Sequence, residues 1–215
     1  MKEKIKILLV DDHAIVRAGF RLLLAAVDSF AVVAEAERGE AACQLYLDKQ
    51  PDVTVLDLSM PGIGGLETLR RIVLRDAKAK VLVFSVHDES VYVNRAMAAG
   101  AKGYITKSSA PNILVEAIQK IADGEIYIEQ GLLKEMPPMP AQAADYRAII
   151  DTLSPREFDI FLLLAKGLTA HKISEELCLG YKTVANYGTQ IKNKLNVETV
   201  AELAHIAMAL GVVKG

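Results

Sequence analysis

The sequence predicts an α/β chain: an open, doubly wound, five-stranded parallel sheet of strand order 2-1-3-4-5, followed by a small all-α bundle of four helices. Three observations point there. Up to residue 123, short runs of Val, Ile and Leu alternate with segments of helical period. A Pro-rich break interrupts that rhythm near residue 138, and from Ser154 onward the pattern is helical only. Runs that are apolar on both faces are buried parallel strands, and parallel neighbours need crossover helices between them.

The expected strands are residues 5–10, 32–36, 53–56, 81–84 and 103–106. In the first helix Val16, Gly19, Phe20, Leu23, Leu24 and Val27 share a face at i, i+3, i+4 spacing. In the fifth, Ser109 and Pro111 mark the start, Ile113, Leu114, Ala117, Ile118 and Ile121 form the face, and Gly124 stops it. Met136-Pro137-Pro138-Met139-Pro140 cannot continue a helix or a central strand, so residues 124–149 are expected to be a linker. Ser154-Pro155-Arg156-Glu157 then reads as a complete helix start, with Ser154 capping and Glu157 closing a capping box. Thr169 can cap a second, short helix carrying Ile173 and Leu177. Leu179-Gly180 turns into a third with Val184, Ile191 and Leu195 on one side, and a fourth runs on from Thr199 through Leu203 and Ile206. Two short helices joined by a tight Gly-containing turn fit a helix-turn-helix.

A net charge of −2 in 215 residues gives no general pull toward nucleic acid, so any such binding must come from a local arrangement. No stretch reaches the roughly 18 uninterrupted apolar residues of a membrane span, and the start of the chain lacks a secretory h-region. A cytoplasmic protein is expected. Cys43 and Cys178 lie far apart without metal-type spacing and are expected to be reduced and buried.

Asp11 and Asp12 follow the first strand and Asp57 follows the third. In the expected strand order those two strands are neighbours, so their carboxyl ends gather three carboxylates. Three such groups repel one another and call for a hard divalent cation, with Mg2+ the natural choice for oxygen ligands. Ser85, ending the fourth strand, and Lys107, after the fifth, should reach the same edge. Carboxylate, divalent cation, hydroxyl and lysine together suit phosphoryl transfer, an aspartate oxygen attacking in line while the positive charges neutralise the equatorial oxygens. Taken one at a time, these residues read as loop solubilisers; five at one edge do not.

Leu8-Leu9-Val10-Asp11-Asp12-His13, Val55 through Gly62, Phe84-Ser85 and Gly103-Tyr104-Ile105-Thr106-Lys107 resemble the signature blocks of two-component response-regulator receivers. The resemblance covers residues 5–123 and implies a flavodoxin-like receiver domain over 1–123. It implies that Asp57 accepts a phosphoryl group from a sensor histidine kinase. It further implies that Asp12, Asp57 and the Ser59 carbonyl ligate Mg2+ with help from Asp11, that Lys107 pairs with the phosphoryl group, and that Ser85 turns toward it. Tyr104 matches the aromatic whose rotamer reports that movement, against a plainer reading as a core aromatic. His87 could govern how water reaches the acyl phosphate, or be an ordinary loop histidine.

The blocks Leu153 to Glu157, Gly167-Leu168-Thr169, Lys182-Thr183-Val184 and Lys192 to Leu195 resemble the four-helix output domain of NarL/FixJ/LuxR-type regulators, placing that domain at residues 150–215. The resemblance implies double-stranded DNA as partner, with Ala185, Asn186 and Thr189 toward base edges and Lys182, Thr183 and Lys192 nearer the phosphates. Family members often carry basic residues where this chain has Ala185 and Thr189, and Gly188 interrupts the helix. Residues 145–215 hold eight basic against eight acidic side chains, although residues 178–195 carry three lysines and no acid. Weak monomer affinity and reliance on a phosphorylation-dependent homodimer are therefore expected. Two other readings compete with a phosphorylation-switched, non-enzymatic DNA-binding regulator. One is a regulator working through a protein partner; the other is a phosphatase or dehalogenase using Asp57 for turnover.

Overall fold

The computed structural model describes residues 3–132, 146 and 148–213. The chain divides into two compact units, Met1–Leu133 and Lys134–Gly215. Most of the Pro-rich break lies outside the described residues.

In the first unit the strands are β1 (Ile5–Val10), β2 (Phe30–Ala36), β3 (Val53–Leu56), β4 (Val81–Ser85), β5 (Gly103–Thr106) and β6 (Tyr127–Ile128). They form one sheet of order β2-β1-β3-β4-β5-β6, with each neighbouring pair parallel. The expected order holds for five strands, and the structure adds a sixth. Tyr127 and Ile128 pair with Gly103 and Tyr104 at the sheet edge. Residues expected to be linker thus extend the sheet, because the chain leaving the last helix turns at Gly124 and runs alongside β5.

The helices between strands are α1 (Ala14–Ala25), α2 (Gly39–Lys49), α3 (Gly65–Arg75), α4 (Ser90–Ala98) and α5 (Pro111–Ala122). Side chains alternate along each strand. Ile7, Leu9, Val55, Leu82, Phe84 and Ile105 form one core with Leu24 of α1 and Leu114, Ala117, Ile118 and Ile121 of α5. The intervening Leu8, Val10, Leu56, Val83 and Tyr104 are also buried. Burial on both faces explains why β3, β4 and β5 contain no exposed position. Ser109 does not cap α5; Ala110 holds the cap position with extended backbone and Pro111 takes the first turn.

The second unit consists of α6 (Pro155–Ala165), α7 (Ala170–Glu176), α8 (Tyr181–Leu195) and α9 (Val200–Ala209), after a helical stretch at 148–151. Its core sets Phe158, Ile160 and Phe161 of α6 with Ile173, Val184, Ile191, Leu203 and Ile206, all at most 1% exposed. Ser154 and Glu157 form the expected capping box, and Thr199 with Glu202 forms a second. Thr169 caps α7 by accepting from the Lys172 N–H. Cys43 is buried, but Cys178 is exposed. It sits between α7 and α8 with φ 51°, a left-handed turn position that directs its side chain away from the core. Among the described residues no helix is long and apolar enough to cross a membrane.

Candidate functional site

The strand register brings the acidic residues together. Val10 pairs with Leu56 across β1 and β3, and the Asp57 N–H donates to the Val10 carbonyl at 2.9 Å. Asp11 and Asp57 therefore leave adjacent strands at the same level. Ser85 pairs with Thr106, and the Lys107 N–H donates to the Ser85 carbonyl at 2.7 Å, which sets the lysine at the same edge. The outcome is one cluster. Lys107 Nζ lies 2.6 Å from Asp11 Oδ2 and 2.7 Å from Asp57 Oδ2. Asp11, Asp12, His13 and Asp57 each place a ligating atom within 4.8 Å of the others.

Asp57 is 1% exposed. Burial pushes its carboxyl up to about 6 against the pull of the Lys107 ammonium and the Ser59 N–H, which donates to Oδ1 at 3.1 Å. For Lys107 the balance reverses: burial alone would lower it, but Asp57 and Asp11 hold it above the usual lysine range. One ammonium thus offsets two carboxylates, and Asp12 adds a third. Asp11 Oδ2 and Asp12 Oδ1 are buried without an aligned hydrogen bond, although Lys107 Nζ and His13 Nδ1 lie 2.6 and 2.9 Å away. A close charge does not saturate the lone pairs of a carboxylate oxygen, so both oxygens retain capacity for a further partner. Buried oxygens short of donors, in a set of hard ligands with surplus negative charge, fit a small divalent cation. His13, its side chain 63% exposed, stands at the rim.

Gly65, at the start of α3, is packed against this loop. A Cβ there would overlap the Asp57 carbonyl oxygen and Leu58 Cα, so only glycine lets the helix approach the end of β3. On the other side, Ser85 is fully buried and its Oγ accepts from the His87 N–H at 3.3 Å. Tyr104 is also fully buried and donates to the His87 carbonyl at 2.9 Å; burial pushes its phenol well above its ordinary range. His87 is no ordinary loop histidine. Its ring stacks on Tyr92 at 3.9 Å and Nε2 lies 3.1 Å from Ser59 Oγ, linking the loops after β3 and β4.

In the second unit, α8 buries Val184, Ile191 and Leu195 and leaves Lys182, Thr183, Ala185, Asn186 and Thr189 exposed. Lys192 is half-buried and donates to the Glu198 carbonyl at 3.2 Å. Lys194, counted in the basic strip, is held by Glu157 at 2.7 Å. Of the three lysines, then, Lys182 stands at the exposed first turn and the other two also serve the fold. Sequence reasoning missed Arg17, Gly65 and Glu129, which bear on the cluster through backbone groups and loops.

Residues 7–119 match the response regulator receiver domain family, and residues 151–207 match the LuxR family of bacterial regulatory proteins. The chain is 40% identical over 210 residues to the transcriptional activator protein ExaE of Pseudomonas putida, covering 97% of this chain and 98% of that one. It is 38% identical over 208 residues to the response regulator UvrY of Escherichia coli (strain K12), covering 97% and 95%. A crystal structure of a LuxR-family two-component response regulator from Aurantimonas sp. SI85-9A1 aligns with TM-score 0.60 and 40% identity, over 68% of this chain and 99% of that one. The residues that end β1, β3 and β5 and the four-helix unit thus have one common explanation: the chain belongs to the family of LuxR-type two-component response regulators.

Proposed function

We propose that this chain is a transcription regulator whose DNA binding is switched by phosphorylation of Asp57. The observation that carries the reading is the Lys107 ammonium seated between Asp11 and Asp57, at 2.6 and 2.7 Å, over a carboxylate buried to 1% exposure. Asp57 is the phosphoacceptor and a sensor histidine kinase the donor. Asp11, Asp12, Asp57 and the Ser59 carbonyl are the residues that would hold Mg2+, which supplies charge neutralisation for the phosphoryl oxygens. Lys107, already paired with Asp57, needs only a small movement to follow a phosphoryl oxygen, and its charge meets the extra negative charge of an acyl phosphate. Ser85 and Tyr104 lie on the path by which that change would reach α4, since both bond to His87, which stacks on Tyr92 of that helix.

The exposed face of α8 fits the role of recognition helix: Ala185, Asn186 and Thr189 are at base-reading positions, while Lys182, Thr183 and Lys192 contact phosphates. A phosphorylation-dependent homodimer offsets the small number of charges each protomer can offer. The partners, a kinase and double-stranded DNA, place the chain in the cytoplasm. Asp57 acts as an acceptor, not as the nucleophile of a turnover enzyme.

Titration with beryllofluoride and Mg2+ tests this. Wild type should dimerise and bind duplex DNA more tightly, and Asp57→Asn should do neither. Equal DNA affinity for both proteins, with and without beryllofluoride, would show that Asp57 does not control the output unit.

A further inference from the structure

We infer that Glu129 is a positioning residue for Lys107, clamping the loop that carries the lysine to the segment through which the first unit continues toward the second. The inference rests on the reading of Lys107 as the phosphoryl-binding cation. Lys107 is the first residue after β5; its own N–H is held by the Ser85 carbonyl at 2.7 Å, and the Ser109 N–H closes the loop on the Thr106 carbonyl at 3.2 Å. The side chains and N–H on either side of it are held from beyond α5.

The Glu129 carboxylate receives three hydrogen bonds from that loop. The Thr106 N–H donates to Oε2 at 2.7 Å, Thr106 Oγ1 to the same oxygen at 3.1 Å, and Ser109 Oγ to Oε1 at 2.6 Å. Thr106 Oγ1 also lies 2.9 Å from Ser108 Oγ and 3.0 Å from Ser109 Oγ, so two hydroxyls meet the anion and a third backs one of them. Bonds to an ionised acceptor are shorter and stronger than neutral ones, and both flanks of Lys107 are tied by them. Glu129 itself is fixed because its N–H donates to the Tyr104 carbonyl at 3.0 Å, one step past the pairing of β6 with β5. Lys107 therefore stands between two anchors: its ammonium on Asp11 and Asp57, its backbone neighbours on Glu129.

Two consequences follow. Without the clamp, the loop samples more conformations and Lys107 must be ordered whenever a phosphoryl group binds, which weakens binding. With the clamp, any shift of Lys107 toward a phosphoryl oxygen pulls on residues 127–129, the start of the chain leading out of the unit.

The test is beryllofluoride titration, at saturating Mg2+, of full-length wild type, Glu129→Ala, Glu129→Gln, Lys107→Ala and the Lys107→Ala/Glu129→Ala pair, with thermal midpoints measured alongside. Glu129→Ala should weaken beryllofluoride binding about tenfold, the scale of losing charge-assisted hydrogen bonds. Glu129→Gln, whose amide oxygen still accepts from the Thr106 N–H, should fold like wild type and lie in between. In the Lys107→Ala background Glu129→Ala should have no further effect, because its action passes through the lysine. An equal loss in both backgrounds, or no loss in Glu129→Ala and Glu129→Gln while Lys107→Ala binds poorly, overturns the clamp alone. Unchanged binding by Lys107→Ala instead removes the reading of the lysine on which the clamp rests.

Discussion

Arg17 reaches from α1 to the backbone of the acidic loop, its Nη1 donating to the Asp11 carbonyl at 2.5 Å while Nε pairs with Glu35 of β2 at 3.2 Å. Its side chain is only 16% exposed, and Arg21 approaches the same glutamate at 3.5 Å. Arg17 therefore orients the loop that presents Asp11 and Asp12, in the way that outer partners orient metal ligands. Arg17→Ala is expected to weaken Mg2+ binding at least about tenfold without removing a proposed ligand. Isothermal titration with Mg2+ checks this; unchanged affinity would leave Arg17 with only its pairing to Glu35. Asp11, Asp57 and Lys107 were legible from sequence because each directly follows a strand whose neighbours the fold class dictates. Arg17 and Glu129 were not, since their partners are a carbonyl and a set of loop donors brought near by tertiary approach. His87 was noticed for its spacing from Ser85, but its stacking on Tyr92 depends on where α4 begins.

At the scale of the helix, α8 contains one apparent defect. Gly188 lacks a side chain in the middle of the helix, yet a Cβ there would meet Leu164 Cδ1 at 3.6 Å, an ordinary van der Waals contact. Gly188→Ala should therefore stabilise the second unit by about 1 kcal/mol, from helix propensity alone. Thermal unfolding followed by circular dichroism measures it. A lower midpoint would mean that α8 needs the glycine for a bend that the described backbone does not display. The start of α6 carries the opposite kind of feature. Burial would raise the Glu157 carboxyl, but hydrogen bonds from Lys194 and from the Ser154 backbone and side chain together hold it below the usual glutamate range. A carboxyl depressed in the folded state adds stability above its unfolded pKa, and this is lost as pH falls through the folded value. Acidification below roughly pH 4.3, the ordinary glutamate value, should thus loosen this unit, and Glu157→Gln should flatten that loss while lowering the midpoint at neutral pH. Parallel pH curves for the two proteins would refute the assignment. The capping box itself was readable, being a local four-residue pattern, whereas Lys194 lies 37 residues away and was only counted among the lysines of residues 178–195. The two-residue β6 escaped notice because Tyr127-Ile128 is too short to display a period.

At the scale of the molecule, the charge distribution decides how DNA can be held. The chain carries a net −2, so attraction to a polyanion must be local, and the proposed place for it is α8. On that helix Lys194 is already neutralised by Glu157, whereas Lys182 stands exposed at the first turn, beside backbone N–H groups that also favour phosphate. Affinity for duplex DNA in the beryllofluoride-bound state, measured by fluorescence anisotropy across a salt series, should therefore fall only gently with salt. Each phosphate neutralised contributes about 0.9 to the slope of log affinity against log salt. Lys182→Ala should make the slope shallower by about 1 for each recognition helix engaged, hence by about 2 for a dimer. Lys194→Ala should leave the slope nearly unchanged while lowering the thermal midpoint, since its charge is spent on Glu157. If Lys194→Ala alters the slope as much as Lys182→Ala does, the C-terminal half of α8 must face the phosphates. The helix would then lie on DNA in an orientation other than the one its exposed residues indicate. If instead the slope falls by about 1 for Lys182→Ala, a single recognition helix is engaged, and the switch at Asp57 must act by freeing one output unit and not by pairing two.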